Sequence, residues 1–229
     1  FRVPSLKELC DPVNLIEWMG VSTMGFPEPL TFGMRAGRFL RALGHKYDII
    51  HDNQSLSYSI RAIARRLPTV ATIHHPITVD RRLAVAAEKS FWCKVKQLRW
   101  YSFIEMQKRV APTLRRIITV SRCARDDISR DFAIAPHKFK IVANGIDIER
   151  FYPMPEITRE PFRLIATTSS DTPLKGLRFL LQALAQLAPG RPQLHLVVVA
   201  APKKKSRILQ MIADLGLTKR VQFTGPITH

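Results

Sequence analysis

The stretch "FRLIATTSSDTPLKGLRFLLQAL", residues 162–184, presents a strand, a loop and a helix in direct succession. Apolar and β-branched residues predict a strand over 162–168. Thr172 and Pro173 read as a helix cap and first helical residue, and Leu177, Leu180, Leu181, Leu184 and Leu187 recur at helical spacing, predicting a helix over 173–188. Lys175 then falls in the first turn, where the helix's partial positive charge disfavours a cation by about a few tenths of a kcal/mol. An anion held by the free backbone amides would reverse that sign. A lysine bent away into water is the plainer alternative.

The same alternation extends outward. Strands are predicted at 47–52, 69–75, 116–121, 140–145, 194–201 and 220–225, with helices near 54–66, 91–112, 122–132 and 203–215. Apolar strands joined by amphipathic helices imply an α/β chain with parallel sheets covered on both faces. The opening residues read as a Gly- and Pro-rich loop, "GFPEPLTFG", before a helix at 32–43. The alternation pauses at "FYPMPEITREPFR", 151–163, where prolines interrupt the apolar period. Two α/β domains are therefore expected, 1–150 and 161–229, joined by a linker at 151–160. Ligands of such sheets bind in the loops beyond the carboxyl ends of the strands.

The 229 residues suffice for one or two cores. The chain opens on Phe1 and closes on His229 just after an apparent strand, and is expected to be an internal piece of a longer protein. It holds no run of about eighteen apolar residues, which a membrane-crossing helix needs. Cys10, Cys93 and Cys123 are scattered and lack metal-ligand spacing, so a reducing cytoplasm is the expected setting. The net charge of +18 calls for an anionic partner: nucleic acid, a phosphorylated metabolite or a membrane surface. Residues 1–150 carry 25 basic and 14 acidic side chains and the remainder 11 and 4, so no basic tail of the nucleic-acid-binding kind accounts for it.

Four loops could carry chemistry. "IHHP" ends a strand with His74 and His75, which could move a proton or contact a sugar hydroxyl, or could be polar residues where a strand surfaces. A metal would need a third ligand, for which only His51 offers itself, and none is expected. In "TVSRCARDDI", Ser121 reads as a helix cap, with Arg122 and Arg125 nearby; Asp126 and Asp127 are adjacent and point apart. "VANGID" places Asn144 and Gly145 in what reads as a tight turn with positive φ. "TTSS" leads into the helix of Lys175. There is no G-x-G-x-x-G, no G-x-x-x-x-G-K-[ST] and no G-x-S-x-G, so the nicotinamide, P-loop and hydrolase-elbow signatures are absent.

In this order and at these spacings, YDIIHDN, VATIHHP, RIITVSRCARDDI, KIVANGIDIERFYP and LIATTSSDTPLKGLRFLLQAL, followed by LHLVVVA and RVQFTGPI, resemble the retaining nucleotide-sugar glycosyltransferases of family 4, which have the GT-B fold. The resemblance covers roughly 40–229. It implies two Rossmann-like domains, the first serving the acceptor and the second, here truncated, the nucleotide-diphosphate sugar. It implies sugar transfer with retention of configuration, in cell-envelope glycolipid or polysaccharide synthesis, with no cofactor or obligatory metal. Lys175 matches the family's diphosphate-binding lysine, while Ser170 stands where the family has an arginine and supplies no charge. Ser169, Ser170, Lys175 and Gly176 are thus the expected donor-binding residues and His74 and Lys175 the catalytic ones, with His75, Ser121, Asn144 and Gly145 as further cleft candidates. His75 stands where many members have aspartate. The family's E-x₇-E motif does not occur, since no glutamate follows Glu160, and residues 1–229 alone are expected to be inactive.

Two other readings compete. Ser170 and the missing motif suit a non-catalytic sugar- or phosphate-binding domain. The charge suits a nucleic-acid-binding module, but only "KSFWCKVKQLRWYSFIEMQKR", 89–109, interleaves aromatic and basic residues, and no nucleic acid is expected. That stretch also suits an amphipathic helix on an anionic membrane, consistent with a peripheral protein on the cytoplasmic face and a lipid-linked acceptor. A helix with core aromatics and solvated lysines would give the same pattern.

Overall fold

The computed structural model describes residues 3–168, 175–202 and 206–227. It divides into two compact units, Phe1–Ile146 and Asp147–His229.

The first unit opens with α1 (Leu6–Leu9) and α2 (Pro12–Ser22), which the sequence reading did not foresee, and α3 (Glu28–Leu43), the helix expected at 32–43 begun one turn earlier. Local chemistry explains each start. Ser5 and Glu8 form a reciprocal capping box on α1. The Asp11 carboxylate accepts from Val13 N at 2.8 Å, with Pro12 as the first residue of α2. Pro29 lies inside the first turn of α3, where its missing N–H costs nothing, so "GFPEPLTFG" is loop only as far as Pro27.

Four parallel strands follow in the order β1 (Ile50–Asn53), β2 (Thr69–Thr72), β3 (Arg116–Thr119) and β4 (Phe139–Ile141). α4 (Tyr58–Ile63) crosses from β1 to β2, and α8 (Arg122–Phe132) from β3 to β4. Between β2 and β3 run three helices rather than one. α5 (Ile77–Ala87), unforeseen from the sequence, follows Pro76. The helix predicted at 91–112 is split into α6 (Phe91–Trp100) and α7 (Phe103–Val110). At the split the amides of Ser102, Ile104 and Glu105 bond to carbonyls three residues back, tightening the chain out of the α ladder. Ala71, Ile73, Ile117, Ile104, Val110 and Ile128 are fully buried around this sheet.

The second unit is a parallel sheet of β5 (Arg163–Thr167), β6 (His195–Val199) and β7 (Val221–Phe223). α9 (Leu177–Leu187) and α10 (Arg207–Asp214) are its crossovers. Leu177, Leu181, Leu184, Leu196, Val198 and Ile212 form its core. β5 departs from the expected two-sided burial: it is an edge strand and Ile165 is 68% exposed, because no described element covers that side.

α3 and α4 meet tightly at Gly33. A Cβ built on Gly33 would come within 1.8 Å of Ser57 Oγ, the side chain that caps α4. Gly33→Ala is therefore expected to lower stability by about 1–3 kcal/mol, the range for overpacking a filled core. Gly145→Ala, where an added Cβ meets nothing within 4 Å, serves as the control in the same thermal melts. Equal midpoints would contradict the packing described.

Candidate functional site

In a parallel sheet every carboxyl end points the same way, so the β1 and β2 exits meet. The β1 exit is held by Asp52, which is 4% exposed. Its carboxylate accepts from Leu56 N at 2.8 Å and from the Ser55 hydroxyl. These bonds hold Gln54 and Leu56 at φ of 63° and 47°, left-handed values that cost a non-glycine residue about 1 kcal/mol or more each.

The loop so shaped presents two amides to the end of β2. Gln54 Oε1 accepts from His74 N at 2.9 Å, and Gln54 Nε2 donates to the His75 carbonyl at 3.3 Å. Asn53 Oδ1 lies 3.0 Å from His74 Nε2. An amide oxygen only accepts, so Nε2 is the donor in this bond, and in the neutral ring Nδ1 is then the nitrogen left to accept. From behind, buried Gln107 of α7 donates to the Gln54 carbonyl at 2.9 Å. His74 is thus an exposed imidazole whose ring and backbone are both fixed, able to accept a hydrogen bond from a hydroxyl.

His75 turns to a different partner, Asp80 of α5, at 3.1 Å. Burial, with the Asp80 charge adding to it, pushes the Tyr101 phenol up. His51 bonds Thr72 Oγ1 at 2.7 Å and does not join His74 and His75. Among the described residues no three metal-ligating side chains come together.

Ser121 caps α8 as its position suggested, accepting from Ala124 N at 3.0 Å. Arg125 pairs with Asp126, and Asp127 with Arg130, so the two adjacent aspartates serve separate ion pairs. Asn144 and Gly145 do not form the expected positive-φ turn; neither is left-handed, and the chain runs irregularly from Val142 to Asp147. The turn comes later, where Asp147 Oδ1 accepts from Glu149 N at 3.0 Å and Arg150 N at 3.2 Å, because a carboxylate can template it directly.

Ser169, Ser170, Thr172 and Pro173 lie outside the described residues. The α9 boundary corrects the expected helix start: it begins at Leu177, because Gly176 at φ 74° cannot continue a right-handed ladder. Lys175 is exposed and immediately precedes that glycine, outside α9. Arg178, which sequence reasoning passed over, occupies the first turn proper, its guanidinium 5.3 Å from the Phe179 ring centre.

Beside the β1 loop, a groove of about 510 Å³ opens between α2, α3 and α7. Its walls are apolar, with Tyr58, Arg99 and Glu105 among the few polar side chains. Arg81 donates to Glu105 at 2.8 Å and holds that carboxyl below the usual carboxylate range.

Comparison with known proteins gives this geometry its setting. The sequence profile of Glycosyltransferase Family 4 matches residues 4–150. The chain belongs to glycosyltransferase family 4. It is 41% identical over its whole length to the MMP alpha-(1->4)-mannosyltransferase of Mycolicibacterium hassiacum, covering 55% of that protein. It is 24% identical to the D-inositol 3-phosphate glycosyltransferase of Salinispora tropica, with 86% of this chain and 44% of the relative aligned. The family 4 chain thus spans about half the length of these relatives. Among solved structures it resembles HepE of Anabaena, crystallised with UDP and glucose, at a TM-score of 0.56 and 20% identity over 86% of this chain and 51% of that one. It also resembles the outer-core galactosyltransferase WaaB, at 0.53 and 14%, over 86% and 48%. The fold is that of GT-B glycosyltransferases.

Asn53, Gln54 and Gln107 escaped sequence reading as site residues. Their signals were slight: two amide side chains at a strand exit, and a lone amide on the apolar stripe of α7. Asp52→Ala is expected to cost about 2 kcal/mol, typical of a lost charged hydrogen bond, and to shift the His74 imidazole NMR signals although Asp52 does not touch that ring. A lower melting point with unmoved His74 signals would show that the loop does not position His74.

Proposed function

We propose that the protein containing this chain transfers a hexose from a nucleotide-diphosphate sugar to an acceptor hydroxyl with retention of configuration, in the making of a cell-envelope glycolipid or polysaccharide. The observation carrying this reading is Lys175-Gly176 set directly before α9 in a family 4 chain. The mannosyltransferase at 41% identity supports a hexose, and the UDP complex of HepE supports a nucleotide donor. Residues 1–146 form the acceptor-side domain and residues from 147 onward the donor side.

On this reading the bond from sugar C1 to the diphosphate breaks, one from the acceptor oxygen to C1 forms on the same face, and the acceptor proton leaves with the diphosphate. The negative charge gathering on the leaving group meets the Lys175 ammonium and the free amides at the start of α9, so no metal or cofactor is required. Ser169 and Ser170 add hydroxyls but no charge; Arg178, in the first turn of α9, is a candidate to supply the charge that Ser170 lacks. His74 is the proposed contact for a sugar hydroxyl, with His75, Ser121, Asn144 and Gly145 as further candidates on the first unit.

Lys175→Ala in the full-length protein is expected to lower turnover by about a hundredfold or more, the scale for one lost transition-state donor, with an unchanged melting point. Near-normal turnover in the folded variant would remove the phosphate clamp and favour a lysine that merely points into water.

The same protein rests on anionic membranes through α6. No helix is long and apolar enough to cross a membrane among the described residues. α6, however, buries none of its residues, and Phe91 and Trp92 are 71% and 72% exposed beside Lys89, Lys94 and Lys96. α7 is core, which confines the contact to the first half of 89–109. Near-surface cations contribute about 1 kcal/mol each on anionic bilayers. The full-length protein should float with phosphatidylglycerol vesicles at low salt and be released at high salt. Flotation indifferent to lipid charge and salt would overturn this.

A further inference from the structure

We propose that the groove between α2, α3 and α7 is an acceptor subsite for a hydrocarbon chain, so that the acceptor bears an alkyl tail close to the hydroxyl that receives the sugar. This rests on the transferase reading above and names its substrate class.

The groove's place follows from topology. α3 precedes β1, α4 returns from β1 to β2, and α7 leads into β3, so the starts of all three helices lie at the carboxyl end of the sheet. Leu30, Tyr58, Phe103 and Met106 come from those starts and line the groove. One helix, α7, serves both the groove and the loop beside His74. Met106 of the groove adjoins Gln107, which donates to the Gln54 carbonyl, and Gln54 in turn accepts from His74 N. Tyr58 stands at the other end of the loop that Asp52 shapes.

Its chemistry is one-sided. Ile16, Met19, Phe26, Leu30, Phe103 and Met106 offer flexible and aromatic apolar surface with almost nothing to bond a sugar. Ligand pockets of a few hundred Å³ ordinarily bury most of their ligand against apolar walls, and Met side chains adapt to irregular chains. Arg99 is already engaged, donating to Thr23 Oγ1 at 2.8 Å and Ser102 Oγ at 3.1 Å, and the Glu105 carboxylate receives Arg81. The two charged lining residues therefore act as struts rather than as free sugar contacts. The groove also joins the exposed aromatic surface of α6: Trp100 stacks on Phe26 with ring centres 5.0 Å apart, and Phe26 meets Phe103 at 5.5 Å. These ring contacts connect the end of α6 to the groove's apolar lining.

The test compares octyl α-D-mannoside with methyl α-D-mannoside, both below micelle-forming concentration, on the full-length protein. Calorimetric titration gives Kd and, with UDP- and GDP-sugar donors, transfer assays give KM. The octyl glycoside is expected to bind at least about tenfold more tightly and to lower KM in step. Met19→Trp, at a half-exposed position on the groove wall, should abolish that chain-length preference at an unchanged melting point. Equal affinity for the two glycosides, or a preference that survives Met19→Trp, overturns the subsite. Octyl preference lost in Met19→Trp, in a protein that transfers nothing from any donor, would keep the hydrocarbon site and sink the transferase reading.

Discussion

Parallel pairing is the constraint from which the rest follows. Two parallel strands cannot be closed by a tight turn, so each pair needs a crossover long enough to travel back along the sheet. In the first unit those crossovers range from the single turn-and-a-half of α4 to the α5–α6–α7 excursion between β2 and β3. Because every strand runs the same way, every crossover begins at the same edge, and the residues that open them are gathered without further instruction. Asp52, His74 and Ser121 are far apart in sequence yet each stands at the exit of a neighbouring strand.

What the sequence revealed divides along a physical line. Strand and helix identities that rest on local signals were legible: Ser121 caps α8, Leu177, Leu181 and Leu184 of α9 bury at helical spacing, and all seven predicted strands exist, though shorter than predicted. Boundaries set by a single backbone angle or by tertiary packing were not. Gly176 could have stood inside a helix or at its mouth, and only its left-handed φ decides. Pro76 looked like the end of a strand and is equally the cap of α5. The apolar residues of 91–110 gave one continuous pattern, but half of them face solvent and half the core, a distinction that composition does not encode. His74 was legible because a strand-end histidine is conspicuous. The amides that fix it were not, because Asn53 and Gln54 act through a loop whose shape depends on a buried carboxylate.

The charge follows a similar logic. The excess of +18 is not neutralised locally at several places: Lys89, Lys94 and Lys96 have no ion pair among the described residues, whereas Arg35, Arg38, Arg81, Arg125 and Arg130 are matched to carboxylates. The matched arginines brace helix to helix or stay within one helix, and such exposed pairs contribute little each. The unmatched lysines, beside exposed aromatic rings, create a directional field that the fold itself does not use.

The contact of Gly33 with Ser57 has a mechanical meaning. Here a glycine lies directly on the capping side chain of another helix, with only the Ser57 hydroxymethyl group between the two backbones. α3 and α4 are consequently held at a spacing that leaves no room for a methyl group at this point. The β1 loop runs from Asp52 to that same Ser57, so the seating of α3 on α4 and the anchoring of the loop that carries Gln54 share one residue, and the gap that sets both is narrower than one methyl group.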